Sequence, residues 1–286
     1  MRSESPAEET PAEAVRTSRA GRNLPASIAV GVGLLALVVL SLALVKEVFI
    51  AVVAVALLIG LFELTRAFST AGIRLPFVPV ATGGVAMLLG SYWGGMETAA
   101  IAMALTVIGT MVWRLSEGAD GFVRDVGAGI FSLSYLFLMG TFVLLMLQED
   151  DGPWRIVAFI VATIASDIGG YIAGVLFGKH PMAPTISPKK SWEGFAGSLL
   201  FGIGSGIATV TYALDGDWWV GIILGVAGVV FATLGDLSES LIKRDLGIKD
   251  MGDLLPGHGG IMDRLDSLIA VAPIAWLILY TLVDVS

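Results

Sequence analysis

The chain has 286 residues, 56% of them hydrophobic and only 15% charged, with a mean hydropathy of +0.85. A soluble globular domain sits near 45–50% apolar and about 25% charged, so composition excludes that class and points to the membrane. There is no cysteine and there are two histidines, His180 and His258, which excludes disulfides, Fe–S clusters, thiolate zinc sites and multi-histidine metal centres. The net charge of −8 gives no argument for nucleic acid, because the basic residues are segregated rather than spread, and no nucleic-acid partner is expected.

Residues 1–25 are polar, rich in Ala, Glu, Pro, Ser and Thr, and lack an apolar h-region. They read as a disordered cytoplasmic tail rather than a cleaved signal peptide. Runs long and apolar enough to cross a bilayer follow at 26–45, 48–64, 77–95, 97–113, 126–147, 154–178, 195–214, 218–235 and 267–285. The rule of about 20 apolar residues per span therefore gives about nine spans. The expected fold is all-α, a polytopic integral membrane protein, with N-terminal transmembrane helices over 26–147 and a C-terminal transmembrane region over 148–286.

With the N-terminus in the cytoplasm, the tail, 65–76, 114–125, 179–194 and 236–266 lie inside. Of the 17 Lys and Arg, only Lys46 and Arg155 then fall elsewhere, while Glu97, Glu149, Asp150, Asp151, Asp215 and Asp217 lie outside. That segregation satisfies the positive-inside rule, and an odd span count sends the C-terminus outside. The expected location is a cell membrane of the bacterial inner-membrane type, multi-pass, with the charged 236–266 stretch facing the cytoplasm.

Two generic nucleotide motifs fail on context. Gly31-Val-Gly33-Leu-Leu-Ala36 lies inside an apolar span with no strand before it, and Gly174-Val-Leu-Phe-Gly178-Lys179 is too short for a P-loop, with His180 where Ser or Thr belongs. Glu63, with Arg66 three residues on, reads as an interfacial ion pair. Gly170/Gly174/Gly178, Gly202/Gly206 and Gly221/Gly225 have the spacing that lets membrane helices approach closely. Asp167 lies mid-span, where a carboxylate costs at least about 2.5 kcal/mol, so a functional role is the default reading. In the loop 179–194, Pro181, Pro184 and Pro188 prevent helix, Ser191 can cap the following helix, and Lys179, Lys189 and Lys190 supply positive charge.

The most informative stretch is 236–267. Here Asp236, Glu239, Asp245, Asp250, Asp253, Asp263 and Asp266 sit among Lys243, Arg244, Lys249 and Arg264. Carboxylates suit a hard cation and bases suit phosphate; the two interleaved point to metal-assisted phosphoryl chemistry. A helix from Asp236 to about Asp245 puts Asp236, Glu239 and Lys243 on one face, and Asp263 and Asp266 share a face if the last helix begins by Met262. Such paired carboxylates need a cation between them. The glycines of Leu255-Pro256-Gly257-His258-Gly259-Gly260 let backbone N–H groups approach an anion.

Ser240, Lys243-Arg244, Lys249-Asp250, Gly252, Leu255-Pro256, His258-Gly259-Gly260, Asp263-Arg264 and Asp266 together resemble the signature of phosphatidate cytidylyltransferases, the CDP-diacylglycerol synthases. Ser187-Pro188-Lys189-Lys190-Ser191-Trp192-Glu193-Gly194 is similar to a second block of that family. The family usually shows Asp-Thr where this chain has Asp167-Ile168. The resemblance implies cytidylyl transfer from CTP to phosphatidic acid drawn from the membrane, with release of pyrophosphate. It implies Mg²⁺ as cofactor, leaves room for a second cation, and leaves a homodimer open. On this reading Asp236, Asp263, Asp266 and Asp167 hold metal, and Lys243, Arg244, Asp263 and Arg264 act in catalysis. Lys189, Lys190 and Lys249 meet phosphate, and His258, Gly259 and Gly260 meet the nucleotide. A CDP-alcohol phosphotransferase would need an Asp-Gly-x-x-Ala-Arg signature that the chain lacks. A cation-coupled transporter would have no use for the 236–266 charges and should show inverted repeats.

Overall fold

The computed structural model describes residues 24–252 and 259–284, with side chains from residue 31 onward. The tail assigned to 1–25 lies almost wholly outside the described residues, as does His258. The chain is an all-α polytopic membrane protein with one small β-hairpin. Its elements are α1 (Leu24–Leu44), α2 (Lys46–Thr70), α3 (Phe77–Leu115), α4 (Phe122–Ser132), a π-helical stretch (Leu133–Leu138) leading into α5 (Met139–Gln148), and α6 (Gly152–Phe177). There follow β1 (Pro181–Ala183), β2 (Ser187–Ser191), α7 (Trp192–Ala213), α8 (Trp218–Asp245) and α9 (Met262–Leu282).

Among the described residues seven helices are long and apolar enough to cross a membrane, and the described part of α1 adds a shorter apolar helix, Gly31–Leu44. The segments expected at 77–95 and 97–113 both fall within α3, a 39-residue run interrupted at Gly95 (φ 68°, ψ −167°). That backbone conformation is open in practice only to glycine. The limbs fold back on each other there: a Cβ on Gly83 would collide with Thr106, and one on Gly90 would lie 2.9 Å from Thr98. The second limb shows the polarity of a helix in lipid. Ile101, Leu105, Ile108 and Val112 form an exposed apolar stripe, while Thr106, Thr110 and Arg114 face inward.

In the C-terminal half α6 packs on α7, α7 on α8 and α8 on α9, and the glycine spacings are what permit it. A Cβ on Gly169 would lie 2.6 Å from the Gly197 carbonyl, and one on Gly225 would lie 2.5 Å from that of Gly202. Gly206 and Gly221 meet in the same way. On α8, a Cβ at Gly235 would lie 2.6 Å from both the Asp266 carbonyl and the Ala270 Cβ on α9. Backbone is facing backbone, so no side chain can turn aside to make room.

The charged groups sort to the two ends of the bundle. At one end Asp125, fully buried, accepts from Arg114 Nη2 (2.9 Å) and from the Arg74 amide (3.0 Å), tying α4 to α3 and to the α2–α3 connection. The two exceptions to the segregation of basic residues lie at the other end as buried or bonded ties. Lys46 donates to the Glu149 carbonyl (2.5 Å), and Arg155, 1% exposed, bonds Asp151 and the carbonyls of Leu279 and Val283 at the end of α9. The loop 179–194, kept out of helix by its prolines as expected, pairs β1 with β2 antiparallel, Pro181 opposite Ser191 and Ala183 opposite Ser187. Ser191 caps α7 as its sequence position suggests, accepting from the Gly194 amide at 3.1 Å.

Gly225→Val should lower the thermal midpoint in detergent, since overpacking at a backbone contact costs about 1–3 kcal/mol. Gly204→Ala, where a Cβ meets nothing within 4 Å, should leave it unchanged. Equal midpoints for the two variants would contradict the close crossing of α7 and α8.

Candidate active site

A cavity of about 780 Å³ opens among α6, the hairpin, α8 and the start of α9. Helix α8 presents Ala232, Asp236, Glu239 and Lys243 to it, a spacing of four, three and four residues that keeps one face turned inward over three turns. Helix α9 does begin at Met262, and Asp263 and Asp266 both reach the cavity. Asp167 and Gly170 enter from α6, Lys189 and Lys190 from β2, and Lys249, Gly259 and Arg264 complete the polar wall. Two blocks are joined directly across 46 residues of sequence, because Lys190 Nζ pairs with Asp236 Oδ2 at 2.5 Å.

The contacts inside this wall revise several roles expected from sequence. Lys243 lies between carboxylates, donating to Glu239 Oε2 (2.8 Å) and Asp263 Oδ1 (2.9 Å). The cation that lets those two acids coexist is thus a lysine ammonium. Asp263 also accepts from the Met251 amide (3.2 Å) and the Gly260 amide (2.8 Å), so its oxygens bind the loop that precedes α9. Arg244, one residue beyond Lys243, is exposed and outside the cavity lining, since a step of one residue turns it out of the inward stripe.

Glu63 is the largest correction. It is buried at 4% exposure and makes no ion pair with Arg66, whose guanidinium lies over the Phe62 ring at 5.9 Å. Instead Glu63 accepts from the Ile261 amide (3.0 Å) and the Met262 amide (2.8 Å), capping α9 from a helix 198 residues earlier. Gly252 and Gly260 pack on it: a Cβ on Gly260 would lie 2.6 Å from Glu63 Oε2, and one on Gly252 would overlap the same carboxylate. Of the 255–260 stretch, whose amides are expected to approach an anion, the Gly260 amide is bonded to Asp263, and the Ile261 and Met262 amides just beyond it are bonded to Glu63; 255–258 lie outside the described residues. Of the glycine pair, Gly259 (φ 80°) lines the cavity, whereas Gly260 is buried against Glu63.

A metal has oxygen donors to choose from. Asp236, Asp266 and Glu239 line one wall, and Glu239 Oε1 is buried without a hydrogen-bond partner among the described residues. Such an orphan costs about 1–3 kcal/mol unless something occupies its lone pairs. The described residues hold no ready-made cage of three acidic or imidazole ligands. Magnesium does not require one, because it is usually held by one or two carboxylates, waters and substrate phosphates. The donor set fits a hard divalent cation of that kind.

Replacing Lys243 by Met should both destabilise the protein and stop its activity. It strands Glu239, 1% exposed, beside Asp263, and breaking a buried pair costs about 3–5 kcal/mol. Thermal unfolding in detergent reads the effect; an unchanged midpoint would remove Lys243 from its place between α8 and α9.

Comparison with known proteins adds an independent line. The model described as "Cytidylyltransferase family" matches residues 26–282. The chain is 43% identical over 279 residues to the phosphatidate cytidylyltransferase of Mycobacterium bovis, covering 93% of this chain and 91% of that protein. It is 41% identical over 280 residues to the Mycobacterium leprae protein of the same name, at 92% and 89% coverage. The phosphatidate cytidylyltransferase of Staphylococcus aureus is 36% identical over 181 residues, covering 63% and 67%.

Proposed function

The chain belongs to the cytidylyltransferase family, and from that premise we propose that it transfers the cytidylyl group of CTP to phosphatidic acid, giving CDP-diacylglycerol and pyrophosphate. The observation that carries this reading is the single cavity in which Lys189 and Lys190 of one sequence block face Asp236, Lys249, Arg264 and Asp266 of the other. Together they offer positive charge for phosphates and carboxylate oxygens for a cation.

The chemistry needs no protein nucleophile. A phosphate oxygen of the lipid attacks the α-phosphorus of CTP, the new P–O bond forms, and the bond to the β-phosphate oxygen breaks to release pyrophosphate. Lys189, Lys190, Lys249 and Arg264 neutralise and orient the phosphates by charge-assisted hydrogen bonds. Asp236, Asp266 and Glu239, with Asp167 across the cavity, are the residues that would hold Mg²⁺. Bound there, it would withdraw charge from the transferring phosphoryl group. Lys243 and Asp263 keep α8, α9 and the loop between them in register. We further propose a cell-membrane location with the cavity facing the cytoplasm, supported by the gathering of basic residues at the end of the bundle that bears it.

Purified protein should convert CTP and phosphatidic acid to pyrophosphate and a CDP-lipid, and EDTA should stop it. Diacylglycerol, which lacks the attacking oxygen, should not substitute. Asp236→Asn should lower turnover about 10²-fold or more, the scale of a lost metal contact. Release of CMP from a CDP-lipid and a free alcohol would replace this reading with a phosphotransferase. Solute movement across vesicles without nucleotide turnover would replace it with a transporter.

The orientation has its own test in a chain without cysteine. Cysteines at Ser69 and Ser187 should label from the cytoplasmic side, and one at Asp150 from the opposite side. External labelling at Ser187 would overturn the orientation.

A further inference from the structure

We propose that Glu63 is a positioning residue for the nucleotide side of the cavity, acting from the N-terminal helices on a site built by the C-terminal ones. Its carboxylate receives two consecutive backbone amides, Ile261 and Met262, at 3.0 and 2.8 Å. Those amides open the first turn of α9, the turn that carries Asp263, Arg264 and Asp266 into the cavity. Asp263 in turn accepts from Met251 and Gly260. The loop between α8 and α9 is thereby held on both flanks, 251–252 and 259–262, by two carboxylates from different helices. Both Gly252 and Gly260 leave space that a Cβ would take from Glu63. Two glycines of the 236–267 motif are thus explained by a residue outside it, and neither needs to touch a ligand for its absence of a side chain to matter.

The effect on chemistry follows from what is and is not attached to the clamp. Lys249, Gly259 and Arg264 lie on or beside the clamped backbone, whereas Lys189, Lys190, Asp167 and Gly170 belong to β2 and α6, which Glu63 does not touch. Loosening the clamp misplaces the first group and leaves the second in place. A misplacement of about 1 Å is enough to cost two orders of magnitude in a positioned reaction. Because the Glu63 carboxylate also occupies the positive end of α9, an incoming phosphate is directed to side chains rather than to that helix terminus.

The choice of CTP as the affected substrate rests on the cytidylyltransferase reading; the clamp itself does not. The test compares the full-length parent with Glu63→Ala, the near-isosteric Glu63→Gln, and Arg155→Lys, which disturbs the buried clamp at the far end of the same helix. Three quantities are measured in detergent: the thermal midpoint, KM and kcat per folded molecule for CTP and for phosphatidic acid, and amide hydrogen exchange in peptides covering 246–252 and 259–266. Glu63→Ala should raise KM for CTP by about tenfold or more, the scale of one charge-assisted hydrogen bond, with Glu63→Gln intermediate because one carbonyl acceptor remains. The lipid phosphate is assigned to the β2 and α6 side of the cavity, where Gly170 and Tyr171 lie within the α6 span, so KM for the lipid should stay within about twofold. Exchange should quicken in both peptides. Arg155→Lys should lower the midpoint and leave KM for CTP alone. A lowered midpoint for the Glu63 variants with unchanged KM for CTP would reduce Glu63 to a structural cap and overturn the proposal. Should Glu63→Ala fail to fold, Glu63→Gln carries the same comparison. If the parent protein does not turn over CTP at all, the cytidylyltransferase reading fails, while unchanged exchange in the Glu63 variants is what would refute the clamp.

Discussion

The ammonium of Lys243, placed between Glu239 and Asp263, is the contact on which the cavity depends. The end of an apolar bundle is a costly place for carboxylates, and this chain gathers at least four of them there. Without an intervening cation, Glu239 on α8 and Asp263 on α9 would force the two helices apart. With Lys243 between them they instead become the bond that joins α8 to α9. Asp263 then extends the same bond to Met251 and Gly260, so one lysine fixes two helix ends and the loop between them.

That contact is reachable only because the backbones come close first. Gly235 lies one residue ahead of Asp236 and directly against Asp266 and Ala270, and a side chain there would push α8 away from α9. Gly202 and Gly206 do the same for α7 against α8, and Gly169 and Gly197 for α6 against α7. In a bilayer there is no hydrophobic gain from burying one apolar helix against another, so close backbone contact is a main source of attraction. The C-terminal half has many such crossings in sequence, which fix how its helices sit against one another. The charges at its end can therefore be placed with fixed spacing.

What the sequence made legible was local and periodic. Apolar runs marked the spans, and the three-four spacing of Asp236, Glu239 and Lys243 put them on one face of α8. Glycine spacing marked the crossings, and Ser191 its own cap. The misses are non-local. Glu63 has an attractive neighbour at i+3 in Arg66, and nothing within its own helix indicates that its partners are amides 198 residues away. The hairpin at 181–191 was hidden by its prolines, which argue against helix but say little about which strand pairing replaces it. Arg244 looked equivalent to Lys243 because adjacent charges are indistinguishable until a helix turns one of them away. The break in α3 depends on one glycine at positive φ inside an otherwise continuous apolar segment, so composition gives two spans there without showing how they are joined.

These bonds also assign the work of anion recognition. A glycine-rich turn ahead of a helix ordinarily invites a phosphate onto free amides. Among the described residues the amides of Gly260, Ile261 and Met262 are taken by Asp263 and Glu63, and the positive charge lining the cavity is carried by side chains. Those side chains reach the cavity from separate elements, Lys189 and Lys190 on the hairpin and Lys249 with Arg264 near the α9 loop. Lysine and arginine tips on separate elements can grip two phosphate groups independently, which a single amide nest cannot do. A reaction that joins a lipid phosphate to a nucleotide phosphate needs two such grips on either side of one reacting phosphorus. The cavity is lined on one flank by Gly170 and Tyr171, within the span of α6, and on the other by Lys249 and Asp250 beyond the end of α8. It therefore runs from within α6, one of the helices long and apolar enough to cross a membrane, to beyond the end of α8, so it is open both along a spanning helix and at the end of the bundle.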